Sequence, residues 1–174
     1  ERKSRKISPK EKEITAYHEA GHALVPYYLG DQDPVHKISI LPRGMALGYT
    51  LQLPIEDRYI TTQQELLDKM KAALGGRVAE EVIFGEVSTG AHDDLNKVTE
   101  LARRMVTEFG MTDALGPVRY ATQSGAGYLG PVTGLRSELS PQTAALIDQE
   151  VRRLVDEGQA QARDLLQDHQ AALH

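Results

Sequence analysis

Residues 18–22, HEAGH, place two imidazoles four positions apart with a carboxylate directly after the first. On a helix that spacing stacks His18 and His22 on one face, so both can converge on a single metal ion without backbone strain. Glu19 lies about a hundred degrees round the axis, too far to share that face equally but near enough to reach a water on the ion. The division suits hydrolysis. Zinc lowers the pKa of a bound water from about 15.7 to about 7, and a neighbouring carboxylate takes the proton as the water attacks a polarised carbonyl. The same spacing also serves two histidines that merely pack in a core and bond to backbone or carboxylate. The choice turns on whether the chain supplies a third ligand.

A catalytic zinc has three protein ligands and an open fourth position. The chain contains no cysteine, which excludes disulfides and thiolate zinc sites and leaves His, Asp or Glu for the third ligand. Residues 90–95, GAHDDL, offer three such groups where a helix should begin. Helical periodicity separates them: Asp94 shares a stripe with Val98, Leu101 and Met105, Asp93 falls with Lys97, Glu100 and Arg104 on the wet face, and His92 lines up with Asn96, Thr99 and Arg103. Asp94 is therefore the inward one. Alone, such a residue is ordinarily a helix cap. Beside His18 and His22, a buried carboxylate in need of a partner and a metal in need of an anion account for each other.

The elements that must position these groups can be read from caps and periodicity. Ser8, Pro9 and Glu11 make an N-cap, a first-turn proline and a capping box, and Gly30 supplies a stop, so residues 9–29 are expected to form one helix. Its apolar stripe, Ile14, His18, Gly21, His22, Val25, Tyr28 and Leu29, points both histidines inward. Residues 35–41 and 48–53 are rich in β-formers and flank a turn-like PRGMA, which predicts a hairpin. Thr62 and Glu65 open a second helix running to Phe84, with Gly75 and Gly76 inside it. Each glycine costs about 1 kcal/mol against alanine in a helix, so the pair marks either close approach of another backbone or a kink. A third helix covers residues 92–109 up to Gly110, residues 110–139 read as a long loop, and Ser140 and Pro141 start a last helix with the stripe Ile147, Val151, Leu154, Val155, Ala162, Leu165 and Leu166. The fold class expected is mainly α with a small β-hairpin, carrying HExxH on a long helix.

Composition narrows the function classes. The 174 residues are 40% apolar, 26% charged and 5% aromatic, as in an ordinary helix-leaning globular domain. No apolar run approaches the roughly 18 residues of a membrane span. A net charge of −5 gives no basic footprint for nucleic acid. Arg2, Lys3, Arg5 and Lys6 read as a solvated linker, so residues 1–7 are expected to lead from an upstream module and residues 8–174 to be the domain, cut short at its far end.

Taken together, HEAGHAL at 18–24, ISILPRG at 38–44, GGRVAEEVIFG at 75–85, STGAHDDL at 88–95, MVTEFGM at 105–111 and LGPVRY at 115–120 resemble, in this order, the peptidase domain of the FtsH-type membrane-bound, ATP-dependent zinc metalloproteases. The resemblance implies a mostly helical domain with Zn2+ held by His18, His22 and Asp94, and with Glu19 as catalytic base. It also makes Glu80 a candidate for orienting a ligand histidine from behind, while Glu81 reads as a surface salt bridge. It implies unfolded or misfolded protein substrates fed by a AAA ATPase ring, a homo-hexamer, and a place on the cytoplasmic face of the inner membrane, reached through transmembrane helices outside this otherwise soluble fragment. His92 and Asp93 depart from the family pattern and leave a second ligand candidate beside Asp94, and residues 123–136 match loosely. Residues 36–41 form a candidate edge for holding an extended substrate, the other reading being an ordinary covered strand, and His36 is assigned no catalytic role. The alternative function is a non-catalytic helical assembly module of such a ring, against which stands the presence of Glu19.

Overall fold

The computed structural model describes residues 7–30, 35–40, 48–52, 60–120 and 139–174. The basic stretch at 2–6, the PRGMA turn and the poorly matched segment 123–136 lie outside them. Helix α1 spans Pro9–Leu29, and the Ser8 side chain and Glu11 satisfy each other's backbone N–H groups as a capping box. Gly30 ends it in the left-handed region at φ 78°. Strands β1, Val35–Ser39, and β2, Tyr49–Gln52, form an antiparallel pair in which Ile38 faces Thr50, with an irregularity between Val35 and Lys37. Helix α2 spans Gln63–Phe84 behind a second capping box at Thr62 and Glu65. A 3-10 turn at Thr89–Ala91 leads into α3, His92–Thr107, and α4 spans Pro141–Asp168 with Ser140 as N-cap.

Helix α2 is the centre of the molecule, packing against α1, α3 and α4. Two apolar clusters lie on it. The larger joins Leu66, Met70 and Leu74 to Val98, Ala102, Met105 and Val106 of α3 and to Ile147, Val151 and Leu154 of α4. The smaller joins Val25 of α1, Val78 and Ala79 of α2, and Ala162 and Leu166 of α4, with Leu173 beyond the helix. The stripes expected on α3 and α4 lie on the buried side of each helix, with Asp94, Leu101, Val155 and Leu165 half-buried at its margins and Ala102, Val106, Glu150 and Gly158 buried beside them. On α1 the buried set is shifted: His18, Gly21 and Val25 of the expected stripe are buried together with Thr15, Glu19, Ala23 and Pro26, while Ile14, His22, Tyr28 and Leu29 are half-buried, since α1 meets α2 on one side and the hairpin on another.

The glycine pair in α2 resolves as close approach, and α2 runs through it without interruption. A Cβ on Gly21 of α1 would overlap the carbonyl oxygen of Gly75, and one on Gly75 would lie 2.5 Å from the carbonyl oxygen of Gly21. The helices cross backbone to backbone, which carries the face of α1 holding both histidines onto α2. Three boundaries differ from expectation. Strand β2 begins at Tyr49, one residue after the expected 48. Helix α3 stops at Thr107 and not at Phe109, because the loop that follows takes the carbonyl of Thr107 with the N–H of Tyr120 at 2.7 Å. Strand β1 ends at Ser39, short of residue 41.

Candidate metal centre

His18 and His22 reach across the α1–α2 crossing, and each ring is fixed from behind by a bond at Nδ1. His22 Nδ1 lies 2.9 Å from the carbonyl oxygen of Ala72. A carbonyl only accepts, so the proton is on Nδ1 and Nε2 carries a lone pair. His18 Nδ1 lies 2.7 Å from Oε2 of Glu80, whose other oxygen accepts the N–H of Ser88 at 3.0 Å. Glu80 is only 1% exposed, and these two bonds are what make a buried carboxylate tolerable there. Burial resists its ionisation, but the bonds from His18 and Ser88 outweigh that and hold its pKa below the usual glutamate value.

The two Nε2 atoms stand 3.0 Å apart, and Oδ2 of Asp94, from the first turn of α3, lies 3.1 Å from each. Three atoms that would each offer a lone pair meet with no donor among them. Such crowding is relieved only by a cation, whether a proton or a metal. A proton on His18 is the solution its neighbouring carboxylates favour. Burial works against a charged His18, yet its bonds to Asp94 and Glu80 prevail and raise its pKa to about 9. Burial opposes ionisation of Asp94 as well, and its bonds to His18 and His22 hold its carboxyl far below the ordinary range. A divalent ion is the other solution, since His18, His22 and Asp94 bring two imidazole nitrogens and a carboxylate oxygen within 4.8 Å of one another and could hold one. Room is left by Gly76, where a Cβ would fall 2.6 Å from the Nε2 atoms of both histidines.

Glu19 is buried beside this group but turns toward the hairpin, where Oε2 accepts the Thr50 hydroxyl at 2.6 Å. Glu81 pairs with Arg163 of α4 at 2.8 Å, so its salt bridge ties two helices together. Asp93 and His92 are exposed, and Nε2 of His92 is 3.3 Å from the Asn96 amide. Of the three candidates His92, Asp93 and Asp94, only Asp94 joins the histidines. The side chain of His36 lies outside the described residues. Sequence reasoning missed four contributors: the carbonyl of Ala72, the N–H of Ser88, the bare face of Gly76 and the hydroxyl of Thr50. Only Gly76 carried a signal, as half of an unexplained pair. Backbone groups leave none, and a threonine in a strand is an ordinary β-former.

The family model for peptidase family M41 matches residues 5–174. The chain is 53% identical over 174 residues to ATP-dependent zinc metalloprotease FtsH 3 of Symbiobacterium thermophilum, covering 99% of this chain and 28% of that protein. It is 55% identical over 166 residues to ATP-dependent zinc metalloprotease FtsH of Pseudothermotoga lettingae, covering 95% of this chain and 26% of that protein. Against the Bacillus subtilis protein of the same name the identity is 50% over 173 residues, covering 99% of this chain and 27% of the relative. The chain thus spans little more than a quarter of the length of these relatives.

Proposed function

The chain belongs to peptidase family M41, and from that premise we propose that it is a zinc-dependent endopeptidase domain, with His18, His22 and Asp94 as protein ligands and Glu19 as general base. The observation that carries the reading is the meeting of Nε2 of His18, Nε2 of His22 and Oδ2 of Asp94 within about 3 Å of one another, so that all three face one point. Zinc bound there supplies a Lewis acid that polarises the scissile carbonyl and acidifies a water. The chain's own residues do the rest. Glu80 and the Ala72 carbonyl hold the imidazoles in the tautomer that presents Nε2. Glu19 takes a proton from the attacking water and hands it to the departing amine. Strand β1 offers main-chain groups along which an extended peptide can lie; Lys37 and Ile38 on it are exposed.

The relatives are named ATP-dependent, which supports a complete protein whose proteolysis uses ATP; with the family resemblance, the reading extends to a domain that receives unfolded or misfolded chains from a AAA ATPase ring of six copies at the cytoplasmic face of a membrane. No helix among the described residues is long and apolar enough to cross a membrane. Contact with the bilayer therefore belongs, in this reading, to segments other than these helices. A helical module kept only for assembly has no use for three crowded lone pairs, so the site favours the enzyme. Zinc content and casein hydrolysis, measured on wild type, His22→Ala and Glu19→Gln, test the reading. His22→Ala should lose its zinc. Glu19→Gln should keep zinc and fold while hydrolysis falls by roughly 10² to 10⁴, the usual worth of a general base. Equal zinc in His22→Ala, or wild-type hydrolysis by Glu19→Gln, would overturn it.

A further inference from the structure

The hairpin touches α1 at the proposed base. Gly48, just before β2, lies so close to α1 that a Cβ there would sit 2.7 Å from the Thr15 methyl, 2.9 Å from the carbonyl oxygen of Ser39 and 3.0 Å from Cγ of Glu19. Two residues on, the Thr50 hydroxyl is 2.6 Å from Oε2 of Glu19 and 3.1 Å from that residue's main-chain oxygen. A hydroxyl has one proton, and the shorter contact to the carboxylate takes it. Glu19 is 7% exposed, and among the described residues this is the bond its carboxylate is shown to make. A glutamate side chain has three rotatable torsions and loses considerable freedom when fixed. A single short bond from a strand anchored on the same helix removes much of that freedom in advance.

We propose that Thr50 is a positioning residue for the hydrolysis, setting the carboxylate of Glu19 through its hydroxyl; this rests on the reading of Glu19 as general base. The bond also connects the base to the strand facing β1, since Thr50 pairs with Ile38. When the carboxylate takes the water's proton on its other oxygen, Oε2 still accepts from Thr50, so the bond holds the base in both of its states.

The test compares Thr50→Val, which keeps the shape and removes the hydroxyl, with Thr50→Ser, which keeps the hydroxyl, each in the complete protein with its zinc content measured. A positioning role predicts that Thr50→Val lowers kcat by about 10- to 100-fold, the order that a misplaced reacting group costs, with KM within about twofold, zinc content unchanged, and activity restored in Thr50→Ser. A second readout is independent of turnover: the carboxylate stretch assigned to Glu19, by infrared difference against Glu19→Gln, should shift in Thr50→Val and return in Thr50→Ser. Wild-type kcat with an unshifted band in Thr50→Val overturns the proposal. Equal loss in Val and Ser variants, or loss accompanied by zinc release, also overturns it, since the cause would then be the hairpin's packing. If Glu19→Gln itself retains wild-type activity, the reading of the base fails, a result distinct from any of these.

Discussion

Two contacts on α2 are built on opposite terms. Toward α3 and α4 the helix offers Leu66, Met70 and Leu74, and what meets them is the apolar volume of Val98, Met105, Ile147 and Leu154. Toward α1 it offers Gly75 and Gly76, and what meets them is the backbone of Gly21 and the edges of two imidazoles. One side is held by filling space and the other by leaving it. The filled side is insensitive to which polar groups are present. The bare side can bring His18, His22 and Asp94 together because nothing bulky stands between them. The two should therefore fail under opposite substitutions.

The largest structural effect expected is on the filled side. Met105 is fully buried, and Met105→Ala should cost about 2 to 5 kcal/mol by lost burial and the cavity left behind. Zinc stoichiometry of the fraction that remains folded should not change. Denaturant titration with metal analysis checks both, and a loss of zinc at unchanged stability would mean that the two sides are not separable.

Truncating the filled side subtracts stability, whereas on the bare side addition is what should harm. Gly21→Ala gains helix propensity worth about 1 kcal/mol, yet its Cβ would overlap a carbonyl oxygen of α2, and backbone cannot swing aside as a side chain does. Overpacking of this kind costs about 1 to 3 kcal/mol. The net should be destabilising, and because the crossing must widen, zinc affinity should fall with it. An alanine at 21 that stabilises the protein would show that the crossing is loose.

These contrasts also explain what could be read in advance. The helix starts were legible because Ser8 with Glu11 and Thr62 with Glu65 are local devices, complete within four residues. The inward side of Asp94 was legible because α3 has one wet face. The meaning of Gly75 and Gly76 was not, since a kink and a crossing look alike until Gly21 is known to lie opposite. The end of α3 was missed for the same reason: the N–H that claims the Thr107 carbonyl belongs to Tyr120, thirteen residues later by number and adjacent only in the fold. Thr50 could be found only once the hairpin had been laid against α1.

The polar side should also respond to pH where the apolar side cannot. In the metal-stripped protein His18 titrates near 9 against an ordinary 6.5. Its contribution to stability is present in full below about 6.5 and is lost as pH rises through 9, because the folded state holds the extra proton. Asp94 and Glu80, both lowered, contribute above their ordinary values and lose that contribution on acidification. The metal-stripped protein should therefore lose on the order of 1 to 2 kcal/mol between pH 7 and 9, read as a falling Tm. With zinc in place of the proton the alkaline fall should disappear, and a fall of the same size in the zinc-loaded protein would mean that some other group is titrating.

The smallest effect concerns a polar contact that belongs to neither regime. Glu81 and Arg163 tie α2 to α4 at 2.8 Å, but both side chains are about a third exposed. Burial opposes the lowering of the Glu81 carboxyl only as the second influence here, behind its bond to Arg163, whereas at Asp94 and Glu80 burial is the largest influence and the bonds must overcome it. Water can therefore replace Arg163 at little cost, while nothing can replace the partners of Glu80. Arg163→Ala should change stability by no more than about 1 kcal/mol, the range of exposed ion pairs, and leave zinc content and hydrolysis as they were. Glu80→Gln, which keeps the shape but offers His18 a neutral acceptor, should be the more damaging of the two and should weaken zinc retention. Chemical denaturation and metal titration of the two variants side by side settle the matter. If Arg163→Ala proves the costlier, burial is not what separates a structural charge from an ornamental one on this helix.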